Sequence, residues 1–150
     1  MSPVDAAEEK FLENLPLYES DLDDVSTEAD VRLKIIDRIF IDVLGWPTSS
    51  INAEEHTLSG YLDYKFSIDD RARLVVEAKK EARSFDLELR SPGSAYKLNG
   101  AALKQSKSLQ EGIAQAIRYC GEKNAELACV TNGREWVVFR GSRLGDGTDR

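Results

Sequence analysis

Between Thr57 and Ile68 apolar and polar residues alternate. Leu58, Leu62, Tyr64, Phe66 and Ile68 fall on one side, and Ser59, Tyr61, Asp63, Lys65 and Ser67 on the other. A period of two is the mark of an extended strand with one buried face. Asp69-Asp70-Arg71 supplies a polar turn, and Leu74 to Lys79, rich in valine, reads as a second strand. The middle of the chain is thereby committed to a β-hairpin, and the remaining elements must cover its apolar side.

Those remaining elements are legible as helices and further strands. Residues 3–14 read as a short helix starting at Pro3, with Phe11, Leu12 and Leu15 on its apolar side, followed by an acidic connector from Glu19 to Asp24. Thr27 is placed to N-cap a second helix, with Asp30 three residues on as its capping-box partner. From Val31 the apolar residues Ile35, Ile36, Ile39, Phe40, Val43 and Leu44 recur at helical spacing until Gly45 and Trp46-Pro47 stop the helix. Residues 81–108 read as irregular, with Ser91-Pro92-Gly93-Ser94 as the clearest breaker. A helix from Leu109 to Cys120 carries a stripe of Leu109, Ile113, Ala116, Ile117 and Cys120. Strands at Leu127–Thr131 and Trp136–Arg140 are joined through Asn132-Gly133, a strong hairpin signal. The order is that of an α/β domain.

Composition narrows the class. At 150 residues, 41% hydrophobic and 31% charged, the chain suits one globular domain with a real core. No apolar run approaches the roughly 18 residues of a membrane span, and the acidic N-terminus lacks the apolar region of a secretory signal. Cys120 and Cys129 sit inside apolar patterns, as buried free thiols of a cytoplasmic protein do. The net charge of −7 is unevenly distributed. Residues 1–30 hold ten acids against Lys10 alone, whereas the rest holds 17 acids and 19 bases. A mildly basic body thus wears an acidic N-terminal segment of about residues 1–25, and a phosphate-binding surface on that body is compatible with its charge. That segment could lie in a basic groove and inhibit it. The polar, glycine-rich residues 141–150 read as a linker towards a further C-terminal region.

The hairpin carries the chemistry. Glu77 and Lys79 are two apart and share a face. If the hairpin turns about Asp70, Asp63 and Glu77 lie opposite one another, where cross-strand neighbours are roughly 4.5–5.5 Å apart. Two carboxylates that close repel unless a cation separates them. Magnesium or manganese would do so, with the backbone carbonyl of Ala78 as a further ligand, and would polarise a phosphoryl oxygen or activate water. Lys79 would orient that water or stabilise charge on phosphorus. The competing reading is a cross-strand salt-bridge ladder of Asp63, Lys65, Glu77 and Lys79 on a solvated sheet face, and facing alone does not separate the two. Glu28, on the stripe of Val31, Ile35 and Ile39, is expected to point towards the sheet, either as a helix-dipole partner or as a further metal-site acid. Gln115 and Tyr119, four apart beside the core stripe of their helix, are either a polar flank or a Gln that positions water or phosphate with Tyr as support. His56 is the sole histidine and makes neither a zinc site nor a triad; Trp46 and Trp136 read as packing residues.

Gly60-Tyr-Leu-Asp63-Tyr64, Val76-Glu77-Ala78-Lys79, Gln115-Ala-Ile-Arg-Tyr119 and Thr131-Asn-Gly-Arg-Glu-Trp136 occur in that order, after Glu28-Ala-Asp-Val-Arg-Leu-Lys-Ile-Ile and Leu44-Gly45-Trp46. Together they resemble the PD-(D/E)xK nuclease superfamily, most closely the N-terminal nuclease domain of type I restriction enzyme R subunits, over roughly residues 26–140. The proline that names the superfamily is missing before Asp63, where Tyr61-Leu62 stand. The resemblance implies a restriction-endonuclease-like core, a central mixed sheet flanked by helices. It implies Asp63 and Glu77 as metal ligands, Lys79 as the catalytic lysine, and Glu28, Gln115 and Tyr119 as accessory active-site residues. It also implies magnesium-dependent hydrolysis of DNA within a larger bacterial or archaeal restriction or antiphage-defence protein, whose ATPase or sensor region would follow residue 150. Two sites would be needed to cut both strands, so a homo-oligomer fits. Leu89–Gln110 holds Arg90, Lys97, Lys104 and Lys107 and no acid, and is the stretch expected to contact DNA phosphates. The alternative is a nuclease-fold module without activity that binds DNA or protein.

Overall fold

A computed structural model describes residues 1–80, 84–87 and 95–141. The hairpin is present, with one more strand than its alternation suggests. β1 (Ile51–Thr57) and β2 (Gly60–Ile68) are antiparallel, joined by a tight turn at Leu58-Ser59, and β2 pairs antiparallel with β3 (Arg71–Ala78). β4 (Leu127–Thr131) runs parallel to β3, and β5 (Trp136–Arg140) pairs antiparallel with β4. The sheet is five-stranded and mixed, in the order β1-β2-β3-β4-β5. β1 escapes a sequence reading because it is polar and largely uncovered: Asn52, Ala53 and Glu54 are exposed in succession.

Helices cover both faces. α4 (Lys107–Lys123), N-capped by Ser106, lies on one side, where Leu109, Ile113, Ala116 and Cys120 pack with Val75, Ala128 and Val130. A four-residue turn, α3 (Ala101–Lys104), precedes it within the stretch expected to be irregular. On the other side α2 (Glu28–Val31) continues without a break into two wider π-helical stretches, Arg32–Ile36 and Ile39–Val43. Val31, Ile36 and Phe40 from this helix pack with Tyr64, Phe66, Val76, Ala78 and Cys129. The expected capping box is formed: Thr27 Oγ1 accepts from the Asp30 N–H at 3.0 Å, and the Thr27 N–H donates to Asp30 Oδ2 at 3.1 Å. Gly45, at φ +73°, closes the helix as expected.

The N-terminal segment differs from its expected form. α1 (Pro3–Asp24) runs through Pro16 and takes in the whole acidic stretch, so residues 19–24 are helical rather than a connector. Tyr18 and Leu22 bury against Ile35 and Val43, and this burial outweighs the helix-breaking tendency of the proline. The acids of its last turns are satisfied by the next layer. Arg38 pairs with Asp21 at 3.0 Å, Lys34 with Asp24 at 3.4 Å and Arg134 with Asp23 at 2.9 Å. α1 therefore docks on the helical face opposite α4, away from Lys97, Lys104 and Lys107. The segment 142–150, expected as a linker, and Ser91-Pro92-Gly93-Ser94 lie outside the described residues. Among the described residues no helix is long and apolar enough to cross a membrane.

Candidate active site

One extra residue in β3 decides which side chains meet. The turn is two residues long, Asp69 and Asp70, both at positive φ (51° and 58°) as a type I′ hairpin turn requires. A regular ladder from there would set Asp63 against Val76. Instead the register is Ile68↔Arg71 and Ser67↔Ala72, then Phe66↔Leu74, with Arg73 bulged out. Beyond the bulge Tyr64 opposes Val76, and the next step brings Asp63 to Glu77. The register that would set Asp63 against Glu77 thus comes from a two-residue turn plus a bulge, where the sequence suggested a turn centred on Asp70, and the ladder itself ends one step before that pair.

The two strands then part. The β2–β3 ladder ends at Tyr64↔Val76, so the Ala78 N–H is free to donate to Asp63 Oδ2 at 2.8 Å. On the opposite edge Ala53↔Tyr64 and Glu55↔Leu62 are paired, and the intervening Glu54, at φ +52°, interrupts the ladder beside Asp63. The alternation of β2 changes at this point. Tyr64 and Phe66 face the α2 side, whereas Leu62 joins the core beneath α4. Leu58 and Ile68, expected on the buried side, are exposed.

Glu77 shares the α4 face with Val75 and is only 4% exposed. Its Oε1 accepts from Lys79 Nζ at 2.9 Å, and its buried Oε2 has no hydrogen-bond partner among the described residues. Burial, reinforced by the neighbouring Asp63 carboxylate, pushes the Glu77 carboxyl up to about 7, with Lys79 pulling the other way. Asp63 is also raised, chiefly by burial, against the stabilising Ala78 N–H and the charges of Arg32 and Lys79. Lys79 Nζ makes a second bond to Gln115 Oε1 at 2.8 Å, so Gln115 belongs to the constellation.

Tyr119 enters differently from the expectation. It lies within the core of α4 rather than beside it, and its hydroxyl donates to the Tyr61 carbonyl at 2.9 Å, two residues before Asp63. Tyr119 thus positions β2. Glu28 is exposed at the first turn of α2, and its charge reaches both carboxylates and raises both. Lys97, Lys104 and Lys107 are exposed, and Lys107 lies 3.8 Å from Glu111. Arg90 lies outside the described residues. His56 is exposed and packs edge-on against Tyr61; Trp46 and Trp136 pack against Phe66 and Phe40. Both cysteines are buried and unpaired with each other, as expected.

The ladder reading does not describe this arrangement. Lys65 pairs with Glu55 at 2.7 Å instead of with Asp63 or Glu77, and Glu55 also binds Lys123. Glu77 is buried, not solvated. A carboxylate oxygen without a partner beside a second carboxylate is a donor set that suits a hard divalent cation such as Mg2+ or Mn2+. Asp63 and Glu77 could hold it, with the Ala78 carbonyl as a third donor. Among the described residues no group of three or more His, Cys, Asp or Glu converges in metal-holding geometry. Two carboxylates are enough for magnesium, which keeps several waters in its shell.

Three site residues escape the sequence reading. Arg32, one helical turn after Glu28, lies 3.7 Å from Asp63 Oδ1 and 2.9 Å from Glu54 Oε1. Its (i, i+4) spacing from Glu28 was the available signal. Glu54 belongs to the unrecognised β1. Gly112 sits where a Cβ would come within 2.7 Å of Val130 Cγ1 and 3.2 Å of Lys79 Cε, so its absence lets α4 lie close enough for Gln115 to reach Lys79. A glycine inside an otherwise helical pattern is a sign of such close approach. The chain matches no protein-family model, no curated protein and no solved structure.

Proposed function

We propose that this chain is a divalent-metal-dependent deoxyribonuclease domain with a restriction-endonuclease-like core, acting on DNA phosphodiester bonds within a larger restriction or antiphage-defence protein. The observation that carries the reading is the buried Glu77 carboxylate, bonded to Lys79 through one oxygen and, among the described residues, left without a partner at the other, beside Asp63. An arrangement kept for stability alone would satisfy or solvate that oxygen.

Each residue has a distinct task. The Ala78 N–H fixes the Asp63 carboxylate, and Lys79 fixes that of Glu77, so the two acids present their remaining oxygens from a rigid strand end. A bound Mg2+ or Mn2+ would polarise the phosphoryl oxygen and lower the pKa of water. Lys79, held by Glu77 and Gln115, keeps a third N–H for charge that develops on the phosphoryl oxygens. α4 begins at the same end of the sheet as the site, since Gly112 lies over Val130 and Lys79. Lys104 and Lys107, exposed just before and at the start of α4, would then lie towards that end of the sheet, where a nucleic-acid backbone could pass. Tyr119 and Glu28 act from outside, the first by holding β2 and the second through its charge.

The test is cleavage of supercoiled plasmid with magnesium or manganese by the wild type, Asp63→Ala and Lys79→Ala. Both substitutions should reduce cutting by a factor of at least about 100. Cutting that survives both would remove the proposal.

A further inference from the structure

The second cation at the site, Arg32, occupies an unusual position. Its guanidinium lies over the Tyr64 ring, 5.2 Å from the centroid, and Tyr64 is itself held by a 2.6 Å bond to Asp37. One amino group bonds Glu54 at 2.9 Å and makes a looser ion pair with Asp63 Oδ1 at 3.7 Å; the buried Nε has no partner among the described residues. Arg32 is 18% exposed in its side chain and Glu54 69%, so the more solvated acid holds the less solvated base. Glu54 does so from a left-handed backbone conformation that a glutamate seldom adopts, at the point where it breaks the β1–β2 ladder.

Glu54 compensates the charge of a largely buried arginine, yet a regular β1 could carry a glutamate without the backbone strain. The consequence of the pairing lies at Asp63. Asp63 Oδ2 is taken by the Ala78 N–H, which leaves Oδ1, held only by the loose Arg32 ion pair, as the oxygen a metal would take. An arginine without Glu54 would close the remaining gap and take that oxygen in a charge-assisted bond. It would also present an uncompensated positive charge to an incoming cation.

We propose that Glu54 is a positioning residue that restrains Arg32, keeping its pairing with Asp63 Oδ1 loose and the local charge compensated for divalent metal binding. The inference rests on the metal-site reading above and extends it to a residue of a different strand.

Metal affinity, measured by calorimetric titration of Mn2+ into the whole chain, reads the effect without recourse to activity. Glu54→Gln should weaken binding at least about tenfold, as loss of an outer-shell partner does. Glu54→Asn should do the same while suiting the left-handed conformation better, so a folding defect is not the cause. Arg32→Gln should bind at least as tightly as the wild type, and the Arg32→Gln/Glu54→Gln pair should regain most of what Glu54→Gln loses. A merely structural contact would show no such rescue. Wild-type binding combined with an affinity in Glu54→Gln and Glu54→Asn within about twofold of it, or a double variant no tighter than Glu54→Gln, overturns this inference and leaves the nuclease reading standing. A wild type that binds no Mn2+ overturns both.

Discussion

Replacing Glu77 by glutamine should make the metal-free protein more stable at alkaline pH. In the folded chain the carboxyl is carried from its ordinary value of 4.5 to about 7, mainly by burial and secondarily by Asp63. Each tenfold change in proton affinity is worth about 1.4 kcal/mol, so holding Glu77 ionised costs the fold up to about 3 kcal/mol above pH 8. A raised folded value has a definite sign. The stability is fully present below the unfolded value and is lost as pH rises through the folded one. The glutamine keeps an oxygen for Lys79 but removes the counter-charge, which takes back part of the gain. The net expectation is that Glu77→Gln gains on the wild type by roughly 2 kcal/mol between pH 5 and 8.5. For a chain of this size that is about 4–8 °C in Tm. Urea unfolding at pH 5, 7 and 8.5, without divalent ions and with chelator, measures it. Mn2+ at about a hundred times its Kd should then return about 2.7 kcal/mol to the wild type and little to the variant. A difference that stays flat with pH, or has the opposite sign, refutes the claim that Glu77 is a buried charge awaiting a cation.

Gly112→Ala should lose about 1–3 kcal/mol by overpacking against Val130, and should cut activity beyond its effect on stability because Lys79 Cε is the other atom met; urea unfolding with single-turnover cleavage separates the two. Glu135→Gln tests the anchoring of the segment after the lysine. Glu135 accepts from the Phe85 N–H at 2.7 Å and the Leu87 N–H at 3.2 Å, and despite its partial burial these bonds and Asn132 hold its carboxyl below the usual range. Its contribution is present above that usual range and is lost as pH falls through the lowered value, so the variant should be about 1–2 kcal/mol less stable at pH 7 than wild type, with the gap closing in acid. Removing residues 1–24 should destabilise the domain, because Tyr18 and Leu22 leave Ile35 and Val43 exposed; a truncated chain that melts with the wild type and cuts DNA faster would instead favour the acidic helix as an inhibitor of a basic groove.

The local elements were legible because they depend on short-range chemistry. Thr27 and Asp30 form their capping box, Gly45 stops its helix, and Leu127–Thr131 and Trp136–Arg140 flank Asn132-Gly133, since each signal lies within a few residues of what it controls. Composition and periodicity likewise sufficed for an α/β chain with Asp63, Glu77 and Lys79 on one hairpin. They could not reveal β1, whose polar face carries no alternation, nor the reach of α1 past Pro16, which depends on burial against the second helix.

The site divides along the same line. That two acids and a lysine could share a sheet face follows from the residue order and the pleat. That they do so depends on a bulge at Arg73, where one residue shifts the register, and on the parting of β2 from β3 that turns Asp63 towards the Ala78 N–H. Burial of Glu77 beneath α4, the close approach at Gly112 and the bond of Arg32 to Glu54 all join residues far apart in the sequence. A one-dimensional pattern encodes which groups can ionise. The packing of layers decides which of them are denied water, and it is that denial which separates a candidate metal site from a row of surface salt bridges.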